Sequence, residues 1–331
     1  RPDQARAAQA KLDAIYKRTG KRPNILIFVV DDLGYGDVGA YGGGESLGAP
    51  TPHIDRLARE GLKLTSTYAQ PSCTPTRAAL NTGRLPVRSG LTSPKLLNDN
   101  ADISSELLAA KILSGAGYRT ALSGKWHLGE KDGSRPWQVG FDEFTGFLGV
   151  ANAYQEDHPS ASDVVNDPEL LAQLRSMPGS RDLWSATKEG GGKSLGQINW
   201  SNDATLDQKF AAFSEGFIRR SVKSGKPFYL SHNFTKVHYF NQPSKAFVGK
   251  SATKDVYRDS VIEVDDIVGR LTKLLEDLKI ADNTIVAASM IQRCMRVERS
   301  EHRRRCARRC ARRSGRRTAT ARPLEGPGLD R

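Results

Sequence analysis

Residues 23–37 read PNILIFVVDDLGYGD, and this stretch decides the fold of the 331-residue chain. The run from Asn24 to Val30 is apolar without alternation, which is typical of a strand buried on both faces of a parallel sheet. It ends at Asp31 and Asp32, and a glycine-rich loop follows. Ligands of open α/β sheets bind beyond the carboxyl ends of the strands, so this acid pair is a candidate site. A divalent cation favours such oxygen ligands, although a turn or a helix cap also explains aspartate at this place.

The alternation of strands and helices continues along the chain. Helices are predicted at Ala5–Tyr16, Pro52–Gly61, Pro75–Asn81, Ser105–Gly115, Leu206–Lys223 and Val256–Leu278, and further strands at Leu64–Tyr68, Tyr118–Ser123, Pro227–Ser231 and Asn283–Ala288. The last strand is expected to be buried, and Pro159–Gly196, rich in Ser, Gly, Asp and Pro, is interpreted as a surface excursion. This order predicts an α/β fold, a doubly wound and mostly parallel sheet flanked by helices, incomplete at the C-terminus.

Charge and composition divide the chain into three parts. Residues 1–22 are a polar, helical extension, and 23–290 form the predicted catalytic domain. Residues 291–331 hold 14 Arg, no Lys and 4 acids, so +10 of the net charge of +13 lies there. This segment has few large apolar residues and is expected to be disordered. The remaining 290 residues carry only +3, so the whole-chain charge says little about the partners of the main body.

Two interpretations of the Arg-rich tail stay open. A block of arginines binds phosphates without needing a fold, which would make the tail a nucleic-acid-binding segment. We favour the hypothesis that residues from about Ile291 onward come from a shifted reading frame of a GC-rich gene, because arginine codons are GC-rich. Nucleic acid is therefore disfavoured as a partner.

Cysteine usage and hydropathy exclude two other classes. Cys73 is the one cysteine of the main body, and Cys294, Cys306 and Cys310 lie in the tail, so no disulfide framework is predicted. No stretch approaches the roughly 20 apolar residues that span a bilayer. The chain begins with Arg1 rather than Met, which indicates a processed chain or a fragment.

The segment from Cys73 to Arg77 combines a nucleophile position with positive charge. Cys73 comes at the start of the predicted helix Pro75–Asn81, where free backbone N–H groups and the helix dipole favour an anion. Arg77 follows four residues later and shares a helical face with Cys73. Such a site suits an oxyanion such as sulfate or phosphate. The alternative is that Cys73 is a buried thiol near an ordinary surface arginine and that neither has a catalytic role.

Two more segments place polar side chains after predicted strands. Lys125 and His127 follow Tyr118–Ser123. Lysine can hold an oxyanion as a point charge, and histidine can move protons near neutral pH, although a structural Trp–His pair explains the segment equally well. His232 and His238 both follow Pro227–Ser231, and either is a candidate.

Three motifs in order resemble the signatures of the type I, formylglycine-dependent sulfatases. CTPTRAALNTGR at 73–84 is similar to the first signature, GKWHLG at 124–129 to the second, and residues 23–37 to the first strand and metal loop. The resemblance covers residues 23–290 and implies the N-terminal domain of the alkaline-phosphatase-like superfamily. It implies a sulfuric ester hydrolase of the arylsulfatase type, acting on a small-molecule or carbohydrate sulfate ester. A phosphonate or phosphate ester hydrolase of the same superfamily is the alternative.

The resemblance implies a role for each matching residue. A separate maturation enzyme would convert Cys73 to formylglycine, whose hydrate attacks the sulfur and whose second hydroxyl then expels sulfate. Arg77 would stabilise the hydrate. Asp31 and Asp32, with the oxygen at position 73, would ligate Ca²⁺.

The remaining roles fall to basic residues. Lys125 would bind sulfate, and His127 would help to release it from the enzyme. His238 aligns with the acid that protonates the leaving group and contacts the substrate, and it fits better than His232 by its distance from the strand. The family usually has proline two residues after this histidine, where Phe240 stands here.

One departure concerns the metal site. The family's Asp-Asn pair of further ligands normally follows a late strand, where this chain has Ile291 and Gln292. We therefore expect weak Ca²⁺ binding, impaired activity of this chain and an exposed apolar sheet edge. A periplasmic or secreted location is expected from the family, and a cytoplasmic one stays open.

Overall fold

The computed structural model describes residues 2–94, 102–150, 181–238 and 240–291, together with the single positions 172 and 179. The unit Arg1–Arg293 is compact, and the second unit, Cys294–Arg331, lies wholly outside the described residues. The predictions for the Arg-rich tail therefore lie outside the described residues, apart from Ile291.

A seven-stranded sheet forms the centre of the described part of the chain. Its strands are β1 (Asn24–Asp31), β2 (Arg119–Lys125), β3 (Glu143–Phe147), β4 (Asp182–Thr187), β5 (Gly191–Gln197), β6 (Phe228–Asn233) and β7 (Thr284–Ile291). Their order is β5-β4-β3-β2-β6-β1-β7. The pairs among β3, β2, β6, β1 and β7 are parallel, and β4 pairs antiparallel with β3 and β5. The predicted α/β class with a mostly parallel sheet is confirmed.

Helices cover the sheet. They are α1 (Pro2–Thr19), α2 (Pro52–Glu60), α3 (Cys73–Thr82), α4 (Pro86–Ser89), α5 (Ala109–Gly115), α6 (Trp200–Asp203), α7 (Leu206–Ser224) and α8 (Val256–Asp277). The predicted helices all form, but α5 begins four residues later than Ser105, and α3 includes Cys73 itself. Within the described ranges, no helix has the length and apolar character needed to cross a membrane.

Strand β1 shows why the sheet is wound on both faces. Its side chains alternate between two hydrophobic clusters. Leu26 and Phe28 pack with α7 and α8, whereas Ile25 and Ile27 pack against the cluster that includes α3 and α5. Burial on both faces explains the uninterrupted apolar run, because parallel strands covered by helices have no solvent face.

Two of the predicted segments differ in the structure. Leu64–Tyr68 forms no strand; Leu64 and Tyr68 are exposed, and the Leu64 carbonyl accepts a hydrogen bond from the Tyr41 hydroxyl. Strand-forming residue types are not sufficient without a neighbouring strand to pair with. Pro159–Gly196 is only partly a surface excursion, because its end supplies the hairpin of β4 and β5; most of the earlier part lies outside the described residues.

Strand β7 is at the edge of the described sheet rather than buried within it. Among the described strands it pairs with β1 alone, and Ile285, Ala287 and Ala288 are exposed, Ile285 by 47%. The expectation of a buried last strand is therefore wrong for most of Thr284–Ile291: Ile291 is buried, whereas Val286 and Met290 are only partly buried against the cluster of Leu26 and Phe28. Strand β3 was not predicted, because its sequence EFTGF is short and interrupted by glycine.

Gly124 allows β2 to approach β6 closely. Its φ is +101°, and a Cβ added there would lie 1.6 Å from the carbonyl oxygen of Asn233. We expect Gly124→Ala to lower the free energy of unfolding by about 3 kcal/mol or more, through backbone strain and overlap together. Chemical denaturation measures this. Gly115→Ala, where an added Cβ meets no atom within 4 Å, is the control and should be nearly neutral. Equal stability of the two variants would contradict the close approach.

Candidate active site

The predicted site residues come from neighbouring elements at the carboxyl edge of the sheet. Asp31 is the last residue of β1, Lys125 is the last residue of β2, and Cys73 is the first residue of α3. Because β1 and β2 both run parallel to β6, which lies between them, their carboxyl ends reach the same edge. Residues that are far apart in the sequence therefore lie close together at this edge.

The carboxylate of Asp31 lies at the centre of this cluster. Lys125 Nζ lies 2.5 Å from its Oδ2, and Arg77 Nη2 lies 3.4 Å from the same oxygen. All three side chains are at most 1% exposed. Burial alone would raise the pKa of Asp31, but the positive charges of Lys125, Arg77 and His238 hold it well below its usual range. The carboxylate is therefore ionised, and the two basic groups are fixed around it.

One backbone carbonyl fixes the arginine further. Arg77 Nη1 donates to the carbonyl of Lys125 at 2.7 Å, and Asn233 Nδ2 donates to the same oxygen at 2.8 Å. The Asn233 side chain is itself held by the Ser231 hydroxyl at 2.7 Å. Sequence reasoning missed Asn233, because an amide at the end of a buried strand is not distinctive until its partner is known.

Cys73 lies beside this charge cluster. Burial raises the pKa of its thiol; Lys125 and Arg77 oppose the rise, and Asp31 adds to it. The unmodified thiol is thus protonated at neutral pH and is a poor nucleophile. All three charged groups influence the pKa of the Cys73 thiol, so position 73 lies near them.

His127 and Asp32 sit on unusual backbone. His127 has φ +61° and Asp32 has φ +57°, both in the left-handed region. The His127 N–H donates to the Leu148 carbonyl at 2.8 Å, and its own carbonyl accepts from the Thr74 hydroxyl at 3.2 Å. Non-glycine residues are uncommon in this region, where Asp and His are enriched, and such backbone often occurs at active sites.

The structure separates the two candidate histidines. His238 Nε2 lies 3.8 Å from Asp32 Oδ2, so His238 faces the acid pair. His232 lies within β6, fully buried, with its Nδ1 2.8 Å from the Ser214 hydroxyl and its ring packed on Phe234. His232 is therefore a core residue, and His238 is the one of these two histidines that lies beside the acid pair.

The residues near Asp31 supply only part of a calcium donor set. Asp31 Oδ1 is buried and has no hydrogen-bond partner among the described residues, which suits an oxygen that binds a cation. However, the residue opposite Asp31 on β7 is Ile291, which is fully buried and apolar. Among the described residues, no group of three or more His, Cys, Asp or Glu could hold a metal ion. Ca²⁺ takes 6–8 oxygen ligands, so the described residues do not fit a protein-held calcium site.

Comparison with known proteins shows the family. The sulfatase family model matches residues 23–289, and the chain belongs to the sulfatase family. This stretch contains Asp31, Asp32, Cys73, Arg77, Lys125, His127 and His238.

Similar proteins are known by sequence and by structure. The crystal structure of the PsFucS1 sulfatase from Pseudoalteromonas sp. is 42% identical, with a TM-score of 0.81, over 88% of this chain and 59% of that chain. N-acetylgalactosamine-6-sulfatase of Sus scrofa is 36% identical over 80% of this chain and 49% of its own length. Arylsulfatase A of Homo sapiens is 32% identical over 80% and 50%. The chain thus spans about half the length of these two curated relatives.

The buried His232 makes stability depend on pH. Burial lowers its pKa to about 4, whereas an unfolded histidine titrates near ~6.5. Below ~6.5 the unfolded chain binds a proton that the folded chain does not, so the free energy of unfolding falls as pH drops from ~6.5 to 4, by about 3 kcal/mol in total. We expect His232→Gln to reduce this slope in denaturant titrations at several pH values.

A control separates titration from hydrogen bonding. Ser214→Ala removes the partner of the His232 ring but keeps the titrating group. It should lower stability by a similar amount at each pH and leave the slope intact. A His232→Gln variant with the parent's slope would show that other groups cause the acid sensitivity.

Proposed function

We propose that the chain hydrolyses sulfate esters, as an arylsulfatase-type sulfuric ester hydrolase. The observation that carries this proposal is the placement of Cys73 beside two buried, fixed positive charges, Lys125 and Arg77. Fixed donors in a site shielded from water stabilise a developing negative charge without having to reorganise during the reaction. Membership of the sulfatase family supports the same chemistry.

Each side chain has a role that its position supports. Formylglycine at position 73, made from Cys73 by a maturation enzyme, would supply the hydrate hydroxyl as nucleophile. Lys125 binds and orients the sulfate oxygens, and Arg77 holds the hydrate in place. His127, on the loop after β2, takes part in the release of sulfate. His238 donates a proton to the leaving oxygen and, like Lys125, contacts the substrate.

We also propose a carbohydrate sulfate ester as the substrate, with small aryl sulfates as model compounds. The name of N-acetylgalactosamine-6-sulfatase, 36% identical, supports a sugar sulfate. The residues around Asp31 do not identify the particular ester, because they recognise the sulfate group alone. A periplasmic or secreted location stays a prediction from the family.

The first test concerns position 73. When the chain is produced together with a formylglycine-generating enzyme, the peptide containing Cys73 should lose its sulfur and carry an aldehyde, as measured by mass spectrometry. Cleavage of an aryl sulfate should accompany the modification, at a low rate because the described residues supply only part of a calcium site, and should disappear in Cys73→Ala. Faster cleavage of an aryl phosphonate than of the matching aryl sulfate would instead favour the phosphonate or phosphate ester hydrolase. A modified chain that cleaves none of these esters would contradict the proposal.

The second test concerns Ca²⁺, the cation that family membership suggests. Because Ile291 lies opposite Asp31 in the sheet, a carboxylate at this position would join Asp31 and Asp32. We expect the double substitution Ile291→Asp, Gln292→Asn to raise Ca²⁺ affinity by orders of magnitude and to make the melting temperature depend on Ca²⁺. Differential scanning calorimetry with and without Ca²⁺ measures this effect independently of turnover.

The control for the calcium test is Ile285→Asp, which places an acid on the same strand at an exposed position away from the site. Its melting temperature should not respond to Ca²⁺. If the parent chain already shows a strong response to Ca²⁺, the two carboxylates are sufficient and our account of the donor set is wrong.

A further inference from the structure

The segment that carries His238 is tied directly to the end of β1. After β6 the chain crosses β1, where the Phe234 N–H donates to the Val29 carbonyl and the Val237 N–H to the Asp31 carbonyl, both at 2.9 Å. The position of the histidine relative to the acid pair therefore depends on the three residues between Phe234 and His238. This segment, residues 234–238, is called the histidine segment below.

A buried lysine lies inside the histidine segment. Lys236 is only 3% exposed and its ammonium points away from solvent into the space between two helices. Its Nζ lies 3.2 Å from Asp207 Oδ2 of α7, 3.3 Å from Glu263 Oε2 of α8 and 3.3 Å from the carbonyl of Ala204. Burial alone would lower the pKa of Lys236, but the nearby carboxylates raise it above the usual value, so the ammonium is charged.

Asp207 binds the backbone of the segment as well as the lysine. Its Oδ1 accepts from the Thr235 N–H at 2.9 Å, and its Oδ2 accepts from the Thr235 hydroxyl and from the Lys236 N–H, the latter at 3.3 Å. The fully buried carboxylate of Asp207, at the start of α7, thus accepts four hydrogen bonds from Thr235 and Lys236. This arrangement restricts both residues to one conformation.

Glu263 connects this cluster to the second helix. Its Oε1 accepts from Gln208 Nε2 at 2.7 Å, and its Oε2 accepts from the Ser244 N–H at 2.8 Å in addition to facing Lys236. Glu263, on α8, is therefore held by Gln208 of α7 and by the backbone of Ser244, which lies beyond His238. Buried ion pairs add little net stability compared with apolar packing. The main effect of this ion pair is therefore to fix the position of the histidine segment.

We propose that Lys236, Asp207 and Glu263 are positioning residues that hold His238 at the distance and angle needed for proton transfer to the leaving group. The proposal rests on the proposed sulfatase function. A general acid must lie within hydrogen-bond reach of the oxygen that it protonates, and loosening of the supporting residues costs rate even when the acid is present. None of the three residues contacts the substrate in this account.

The first readout is structural and needs no turnover. Asp207→Asn keeps an oxygen acceptor but weakens the ion pair; the double variant Lys236→Met, Glu263→Gln removes one charge of each sign and remains testable if the first variant does not fold. We expect the amide hydrogens of residues 235–238 to exchange about tenfold faster in both, with those of β6 unchanged. Lys273→Met, which removes an exposed pair with Asp277 on α8, is the control and should exchange like the parent.

The second readout is the dependence of the rate on the leaving group. Phenyl sulfate expels a stronger base than 4-nitrophenyl sulfate and needs the general acid more. With the formylglycine-bearing full chain in millimolar Ca²⁺, we expect the variants to lose about tenfold more kcat on phenyl sulfate than on 4-nitrophenyl sulfate. A merely structural defect would lower both rates equally, and that result, or unchanged amide exchange, would overturn the proposal. If the parent cleaves neither ester, the sulfatase function fails, and amide exchange alone decides whether the cluster holds the segment.

Discussion

A buried carboxylate needs partners, and the way in which Asp31 obtains them organises the structure around it. Lys125 comes from β2, Arg77 comes from α3, and both meet the same oxygen at the end of β1. Removing one partner of a buried pair typically costs 3–5 kcal/mol, since the remaining charge is left without compensation. The requirement therefore fixes the spacing of two strands and a helix, and the same requirement brings Cys73 against two positive charges.

The parts of the fold that depend on local pattern could be predicted from the sequence. The apolar run of β1, the amphipathic α7 and α8 and the helix after Cys73 form as expected. Patterns that need a partner were less informative. Leu64–Tyr68 has the composition of a strand but none of the described strands beside it. β3 forms from a short glycine-containing segment because β2 and β4 lie on its two sides.

The candidate site was predictable to the extent that it lies in contiguous motifs. Asp31, Arg77 and Lys125 stand in three recognisable segments, and the parallel sheet brings these segments together. Supporting residues were not predictable in this way. Asn233 binds a carbonyl oxygen, and Lys236 is paired with carboxylates from two helices that are distant in the sequence. Neither role can be recognised from the sequence alone. The choice between His232 and His238 likewise required knowing where β6 ends.

The register of β7 against β1 has a consequence for charge balance. Two carboxylates, Asp31 and Asp32, stand against one ammonium and one guanidinium, Lys125 and Arg77, so with neutral histidines the cluster is electroneutral. With isoleucine opposite Asp31, this end of the sheet can close without recruiting any further cation. An aspartate there would add a negative charge that a bound cation or a protonated His238 would have to neutralise. The side chain at position 291 thus decides whether the charges of the site balance one another or require a cation from the surrounding solution.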